Sequence, residues 1–352
     1  MATTYGYDIE PMNDRFVYLA EQAVGRLCAS VLPGAFAVNN IPLLRYLPSW
    51  FPGCGFHRFG QETSELLDEM KNVPFEFVRQ NIRDGVGRLS VLGELLEHND
   101  THGGSQQREA MIKDVTAVAY AAAADTVRSR LADQILIQLT DFPRQQRQVV
   151  VFIMAMALNP EVVRKAQNEI DTVVGVGRLP GFEDRGALSY CEAVFREVLR
   201  WRPIAPLGVA HATSEDDIYE GYFIPKGSMV LSNIWAMVHD ESVYPNPDKF
   251  DPERFLNADG QLNTDDHILA FGFGRRICVG RHAADATVWA TIVSVLSTFN
   301  IAKAKDDTGK EIDIEPVFTD GLVSHSKPFK CTITPRSEVA RQLMENMTDV
   351  SI

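Results

Sequence analysis

The feature that most constrains this chain is the stretch Phe271 to Gly280, which reads Phe-Gly-Phe-Gly-Arg-Arg-Ile-Cys-Val-Gly and directly precedes a long apolar helical pattern. Cys278 lies at the predicted start of that helix, where backbone N–H groups and the helix macrodipole stabilise a metal-binding thiolate. Gly274 and Gly280 allow a tight turn and the close approach of a flat ligand. Arg276 offers a guanidinium that suits a carboxylate. Together these residues predict an iron porphyrin with the sulfur on iron and Arg276 near a propionate.

A cysteine alone is more often a buried apolar residue than a ligand. The spacing of Phe271, Gly274, Arg276, Cys278 and Gly280 is more specific, and it resembles the Phe-x-x-Gly-x-Arg-x-Cys-x-Gly haem loop of the cytochrome P450 family. On that resemblance these residues bind haem b (iron protoporphyrin IX), and Cys278 is the axial ligand of the iron. The resemblance covers nearly the whole chain and is greatest to fungal microsomal members, such as those labelled O-methylsterigmatocystin oxidoreductase-like. It implies a mainly α fold with small β-sheets, the cytochrome P450 fold, with its N-terminal part missing.

The composition is that of a globular protein, with 45% hydrophobic residues. A net charge of −13 argues against nucleic acid as a partner, because phosphate binding needs clustered Lys and Arg. The five cysteines are scattered and odd in number, which indicates a reducing compartment. The chain contains no long apolar run and no signal peptide. We therefore expect it to lack a membrane anchor and to be cytoplasmic, although the resemblance places full-length members in the endoplasmic reticulum membrane.

Several stretches have clear helix or strand patterns. Residues 5 to 32 predict one helix, and Ala283 to Phe299 predict another directly after Cys278. The runs Ile218 to Ile224 and Met229 to Ile234 predict two strands, separated by the turn Pro225-Lys226-Gly227. These runs resemble a small β-sheet region of the family.

A further helical pattern ends in Ala121 to Ala124, followed by Asp125 and Thr126. From the alanines alone, plain helix packing is the more common explanation. In a haem-thiolate enzyme, however, Ala-Ala-Asp-Thr resembles the oxygen-binding kink of the long central helix. On that resemblance Thr126 and Asp125 deliver protons to bound dioxygen, and Ala123 lies against the porphyrin face.

The chain departs from the family after Thr126. Related chains reach an Asn-Pro-Glu turn, here Asn159-Pro160-Glu161, about four helical turns beyond the threonine. In this chain Thr126 and Asn159 are 33 positions apart, roughly double that interval. We expect residues 127–148 to be an insertion, such as a translated intron, in a single, partial P450 domain that spans residues 1–352.

Glu197 and Arg200 lie three positions apart on a predicted helix and therefore share one face. Such a pair is commonly a surface ion pair of small energetic value. Here it is followed by Trp201-Arg202-Pro203 and later by Phe250 to Phe255, which includes Arg254. In this context Glu197, Arg200 and Arg254 resemble the buried Glu-Arg-Arg triad of the family, whose loss impairs folding before chemistry.

Other residues resemble family positions around the haem. A lone histidine is more often a surface or core residue than a ligand, but His211 corresponds to a position at a haem propionate. Leu207, Gly208 and Val209 resemble one substrate-facing segment, and Leu322 belongs to a stretch that resembles another. Their apolar character predicts a lipophilic small molecule as substrate.

The function that the resemblance implies is that of an oxidoreductase of fungal secondary metabolism. It is a haem-thiolate monooxygenase, which inserts one atom of O2 into its substrate with electrons from NADPH. A separate NADPH-cytochrome P450 reductase would supply them, because the chain has no dinucleotide-binding Gly-x-Gly-x-x-Gly after a strand, and a face around Arg275 and Arg281 could receive it. The alternative is a truncated, catalytically inactive fragment with weak or no haem binding. A helical protein without cofactor would require the Cys278 motif to be accidental.

Overall fold

The computed structural model describes residues 1–10, 14–31, 34–126, 147–265 and 269–349. Within these ranges the fold is mainly helical with three two-stranded antiparallel sheets, as the sequence predicts. The helices are α1 (Ala2–Tyr5), α2 (Arg15–Val31), α3 (Ala37–Asn40), α4 (Phe56–Arg83), α5 (Val91–Thr101), α6 (Gln106–Thr126), α7 (Arg147–Leu158), α8 (Pro160–Val173), α9 (Ser189–Trp201), α10 (Ile234–Val238), α11 (Arg281–Thr298) and α12 (Glu338–Asp349). The strands are β1 (His211–Ala212), β2 (Asp217–Tyr219), β3 (Tyr222–Ile224), β4 (Met229–Val230), β5 (Phe299–Lys303) and β6 (Cys331–Pro335).

The chain divides into two compact units, Met1–Thr126 and Val127–Ile352. In the first unit, α2, α4, α5 and α6 pack around an apolar core that includes Phe75 and Leu92. The Tyr120 hydroxyl donates a hydrogen bond to the carbonyl of Phe16 and so joins α6 to α2. The predicted insertion, residues 127–148, lies outside the described residues except for its last two positions, which begin α7.

The prediction of one helix over residues 5 to 32 is wrong in its first third. Gly6 adopts a left-handed φ of 61° and ends α1, because a residue without Cβ takes this conformation at little cost. Asp14 then starts a new helix, since its Oδ1 accepts a hydrogen bond from the backbone N–H of Val17 at 3.0 Å. A helix C-cap at Gly6 and a helix N-cap at Asp14 therefore divide the predicted helix into two.

The second unit is built around α7, whose residues from Val149 to Leu158 are all apolar. Phe152, Met154 and Met156 are fully buried, as expected for a helix surrounded by other elements. It packs against α8, α9, α11 and β5, and β5 pairs with β6 from Phe299↔Pro335 to Lys303↔Cys331. The predicted helix after Cys278 is confirmed as α11, although it begins two residues earlier.

The strand predictions near residue 220 need two corrections. Ile218 to Ile224 is not one strand but the hairpin β2–β3, since Glu220 and Gly221 take positive φ values of 50° and 83° at the turn. The second run forms a strand only at Met229–Val230, which pairs with β1. The run ends early because the Asn233 side chain caps α10, with its oxygen 3.0 Å from the N–H of Ala236.

A helix that crosses a bilayer must be both long and apolar. Among the described residues, no helix combines sufficient length with sufficient apolar character to span a membrane.

Candidate functional site

The Cys278 loop, residues 271 to 280, is closed by its own backbone. Gly272 and Gly274 have φ values of 74° and 58°, and this left-handed region favours glycine. The N–H of Cys278 donates to the carbonyl of Phe271 at 2.9 Å. These turns lead the chain into α11. Cys278 lies two residues before Gly280, the N-cap residue of that helix.

The loop presents its side chains outward. Cys278 is exposed, and the side chain of Val279 is 95% exposed. A Cβ atom added to Gly280 would lie 3.8 Å from the Cys278 Sγ, whereas one added to Gly274 would meet no atom within 4 Å. Gly274 therefore serves the backbone conformation, and a Cβ added there would point into open space.

The cationic side chains of the loop are available to an anion. Arg275 and Arg276 are exposed and make no hydrogen bond or ion pair with any residue that the structure describes. His211 is exposed on β1, where its backbone pairs with Val230. Arg281 differs from these, since its guanidinium points back to the Cys278 carbonyl at 3.5 Å.

The described residues fit an iron porphyrin in three respects. Cys278 provides an accessible soft donor at a helix N-terminus, which stabilises negative charge on the sulfur. Gly274 leaves room for a flat ring, and the unpaired guanidinium of Arg276 suits a propionate. The exposed ring of Phe273 adds apolar surface in the same loop.

The Glu197 triad is formed by Glu197 and Arg200 of α9 and by Arg254 of the short turn Pro252–Phe255. The carboxylate of Glu197 is 0% exposed and accepts two hydrogen bonds from Arg200, at 2.6 and 2.9 Å. It also accepts hydrogen bonds from Arg254 Nε at 3.2 Å and from the N–H of Asp251 at 2.8 Å. Burial raises the pKa of Glu197, while the two arginines oppose that rise. The structure thus brings the three predicted triad residues together.

The triad holds a long connecting segment against α9. Arg254 donates to the carbonyls of Pro245 and Lys249, each at 3.2 Å. Arg200 donates to the carbonyl of Pro247 at 2.8 Å. Helix α9 also packs against the short turn Leu269–Phe271, with which the Cys278 loop begins. One helix therefore supports both the connecting segment and the loop.

The two predicted substrate-facing segments lie side by side. The N–H of Ser324 donates to the carbonyl of Ile204 at 2.8 Å, which joins the stretch before Leu207 to the turn that contains Leu322. Gly208 takes a left-handed φ of 60° and is buried, whereas the next residue, Val209, is exposed. Leu207 and Leu322 are half-buried.

An aromatic cluster around Arg202 was not predicted from the sequence. Its guanidinium lies 4.7 Å from the ring centre of Trp201, 5.0 Å from that of Trp235 and 5.5 Å from that of Phe318. Arg202 also donates to Nε2 of His239 at 3.2 Å. Its position directly after the Glu-x-x-Arg helix is the only sequence signal, and that signal does not reveal the aromatic partners.

His239 is held neutral in this cluster. Its Nδ1–H donates to the carbonyl of Trp235 at 3.0 Å, so Nε2 is left to accept from Arg202. Burial, together with the nearby Arg200 and Arg202, lowers the pKa of His239 to about 4. Protonation of Nε2 would remove a hydrogen bond and place two cations together.

The predicted oxygen-handling residues belong to the first unit. Ala123 is exposed near the end of α6, and Asp125 and Thr126 end that helix. The side chains of Asp125 and Thr126 lie outside the described ones. Their assignment remains a prediction.

Comparison with known proteins identifies the family of the chain. The sequence profile described as Cytochrome P450 matches residues 148–333, more than half of the chain. Cytochrome P450 monooxygenase claR of Ampulloclitocybe clavipes is 41% identical over 348 residues, which are 98% of this chain and 61% of that protein. Cytochrome P450 monooxygenase ppsD of Aspergillus oryzae is 40% identical over 346 residues, 97% of this chain and 62% of that protein. The chain thus spans less than two thirds of these relatives. It belongs to the cytochrome P450 family.

Proposed function

We propose that this chain is part of a haem-thiolate monooxygenase that inserts one oxygen atom of O2 into a lipophilic small molecule. The observation that carries the proposal is the exposed Cys278 at the N-terminus of α11, in a loop that Gly272 and Gly274 turn through left-handed backbone conformations. The relatives that cover nearly all of this chain are themselves named cytochrome P450 monooxygenases.

The residues of the loop would divide the work of holding haem b. The Cys278 sulfur would bind the iron, with the positive end of α11 stabilising its negative charge. Arg276 and His211 would bind the propionates, and Gly274 would let the ring approach the backbone. When bound, the haem supplies the oxygen chemistry, and the protein supplies position and electrostatics.

Substrate and oxygen would be handled by other residues. Leu207, Gly208, Val209 and Leu322 would form the apolar wall against which a lipophilic substrate lies, since the two segments that carry them are joined by a backbone hydrogen bond. Thr126 and Asp125 would hold and pass the protons that the reaction consumes, and the small side chain of Ala123 would leave room for the haem.

Electrons would come from NADPH through a separate NADPH-cytochrome P450 reductase. The guanidinium of Arg275 is exposed and has no partner among the described residues. It could contact an acidic surface of the reductase. The Arg275→Ala variant should slow reduction by the reductase while leaving the spectrum of the bound haem unchanged.

We also propose that the chain forms a single P450 domain with an insertion at residues 127–148. Sequencing of the spliced transcript tests it directly. A message that lacks the codons for these residues supports the insertion, whereas a mature message that contains them contradicts the translated intron.

Haem uptake is the decisive experiment. The chain would be expressed with added haem, reduced and exposed to carbon monoxide; a band at about 450 nm indicates thiolate-ligated haem. The Cys278→Ala variant should lose this band, and Cys331→Ala, which changes a half-buried cysteine on β6, should keep it. Failure of the unmodified chain to take up haem would favour the alternative, an inactive fragment.

A further inference from the structure

Arg185 connects two helices of the second unit. It lies in the short turn Phe182–Ala187, and its Nε and Nη2 donate to the two carboxylate oxygens of Glu192 on α9 at 2.9 and 3.2 Å. Its Nη2 also donates to Oδ1 of Asp285 on α11 at 3.1 Å, and its Nη1 donates to Oδ2 of the same residue. One guanidinium therefore binds a carboxylate from each helix through paired hydrogen bonds.

Each helix also presents an aromatic ring to the same guanidinium. Its central carbon lies 5.3 Å from the ring centre of Phe195 on α9 and 5.2 Å from that of Trp289 on α11. Both rings are fully buried, and Phe182 stacks on Trp289 at 5.5 Å. Because an arginine fork is planar and rigid, these contacts define its orientation as well as its place. We call Arg185, Glu192 and Asp285 the Arg185 clamp.

The clamp acts on the part of α11 that is nearest to Cys278. Gly280 gives the helix no side-chain cap, and residues 278 to 280 are exposed. Among the described residues, Asp285 is the first in α11 whose side chain bonds to another element, because Arg281 bonds only to the loop carbonyl of Cys278. Buried residues of α11 begin only at Val288.

The other end of the clamp is attached to a helix that the triad anchors. Glu192 lies on α9, the helix that carries Glu197 and Arg200 of the triad. We propose that Arg185 is a positioning residue: by holding Asp285 to Glu192 it fixes the first turns of α11, and with them the Cys278 sulfur, relative to α9. Its consequence for haem rests on the proposed function of Cys278.

The far end of the same helix supplies a matched control. Arg336 binds both carboxylate oxygens of Asp171 at 3.0 and 2.6 Å and donates to the carbonyls of Leu296 and Ser297. The side chains of Arg336 and Asp171 are 18% and 32% exposed, close to the 25% and 31% of Arg185 and Asp285. Asp171 lies on α8, and Arg336 contacts only the C-terminal end of α11, so Asp171→Asn removes an ion pair of similar exposure that lies far from Cys278 along the helix.

The test compares Asp285→Asn and Arg185→Lys with Asp171→Asn. Backbone hydrogen exchange of residues 279 to 287 is measured first in the haem-free chain. We expect the two clamp variants to exchange about five to thirty times faster there, the factor for a modest loss of local stability. Asp171→Asn should leave exchange in this segment unchanged and affect the other end of α11.

The second readout is the reduced carbon monoxide spectrum of the haem-loaded proteins. The clamp variants should lose part of the band at about 450 nm at equal haem content, because a displaced sulfur binds iron poorly. Asp171→Asn should keep it. Equal exchange in Asp285→Asn and Asp171→Asn, or an unchanged thiolate band in both clamp variants, would overturn the proposal. If the unmodified chain bound no haem, the proposed function would fail, and the exchange comparison would still decide whether the clamp orders α11.

Discussion

The Glu197 triad and the Cys278 loop lie in the same unit, yet they differ in burial and in hydrogen bonding. In the triad, Glu197 is fully buried, and its carboxylate receives hydrogen bonds from both arginines and a backbone N–H. In the loop, Cys278 and Arg276 are exposed, and Arg276 has no partner among the residues that the structure describes. The triad is complete within the polypeptide, whereas the loop offers groups that a ligand can use.

This difference separates stability from binding. A buried carboxylate between guanidiniums is costly to break, because removal of one partner leaves uncompensated charge. An exposed thiol contributes little to folding, since water solvates it in both states. Substitutions in the two regions should therefore act on different measurements.

The largest effect is expected for Glu197→Ala. It leaves Arg200 and Arg254 without their shared anion, and we expect a loss of about 3 to 5 kcal/mol in the free energy of unfolding. Urea unfolding followed by circular dichroism measures the loss. A variant that unfolds at the wild-type urea concentration would contradict the structural role of the triad.

Glu62 offers a control for this substitution. It also binds two arginines, with Arg26 at 2.5 Å and Arg58 at 2.8 Å, but its side chain is 40% exposed. Because water can replace those contacts, Glu62→Ala should change stability far less than Glu197→Ala.

A smaller effect is expected from the His239 site as pH falls. The pKa of His239 in the folded protein is about 4 because burial disfavours the charged ring, whereas in the unfolded chain it is about 6.5. The unfolded chain therefore binds the proton first, so the stabilisation is complete above about pH 6.5 and is lost as pH falls toward 4. The loss should reach about 3 kcal/mol.

Urea unfolding at several pH values measures this dependence. The His239→Gln variant keeps an acceptor for Arg202 but cannot titrate. Between pH 6.5 and 4 its free energy of unfolding should therefore fall less steeply than that of the wild type. His102 is exposed and stacks on His98, so His102→Gln serves as the control and should keep the slope. Equal slopes in the wild type and the His239 variant would refute the assignment.

The smallest effect on folding is expected for Cys278→Ser in the haem-free chain. The cysteine is exposed, and its side chain makes no hydrogen bond within the described part of the chain, so the free energy of unfolding should change by less than about 0.5 kcal/mol. The same variant should lose the thiolate band of the haem-loaded protein. A large loss of stability without haem would instead show that the loop belongs to the structural frame.

Much of the second unit follows from local patterns. The spacing from Phe271 to Gly280 indicates the Cys278 loop because it specifies glycines at turns and a cysteine before a helix. The apolar pattern after Cys278 correctly predicts α11, since a buried helix needs a long run without strong breakers. The pattern misleads where an end signal lies inside an apolar run, as at Asp14 before α2 and at Glu220-Gly221 between β2 and β3.

The sequence alone predicts the family and the mainly helical class, because the spacing of the Cys278 loop and the apolar repeats of the helices are local patterns. It does not predict the Arg185 clamp or the aromatic cluster of Arg202, whose contacts join residues far apart in the chain, such as Arg185 and Asp285, which are 100 positions apart. The contacts of the clamp exist only once α9 and α11 pack, and those of Arg202 only once Trp235 and Phe318 come together beside α9. The Cys278 loop can therefore be predicted from local sequence, whereas the contacts that support it form only in the folded structure.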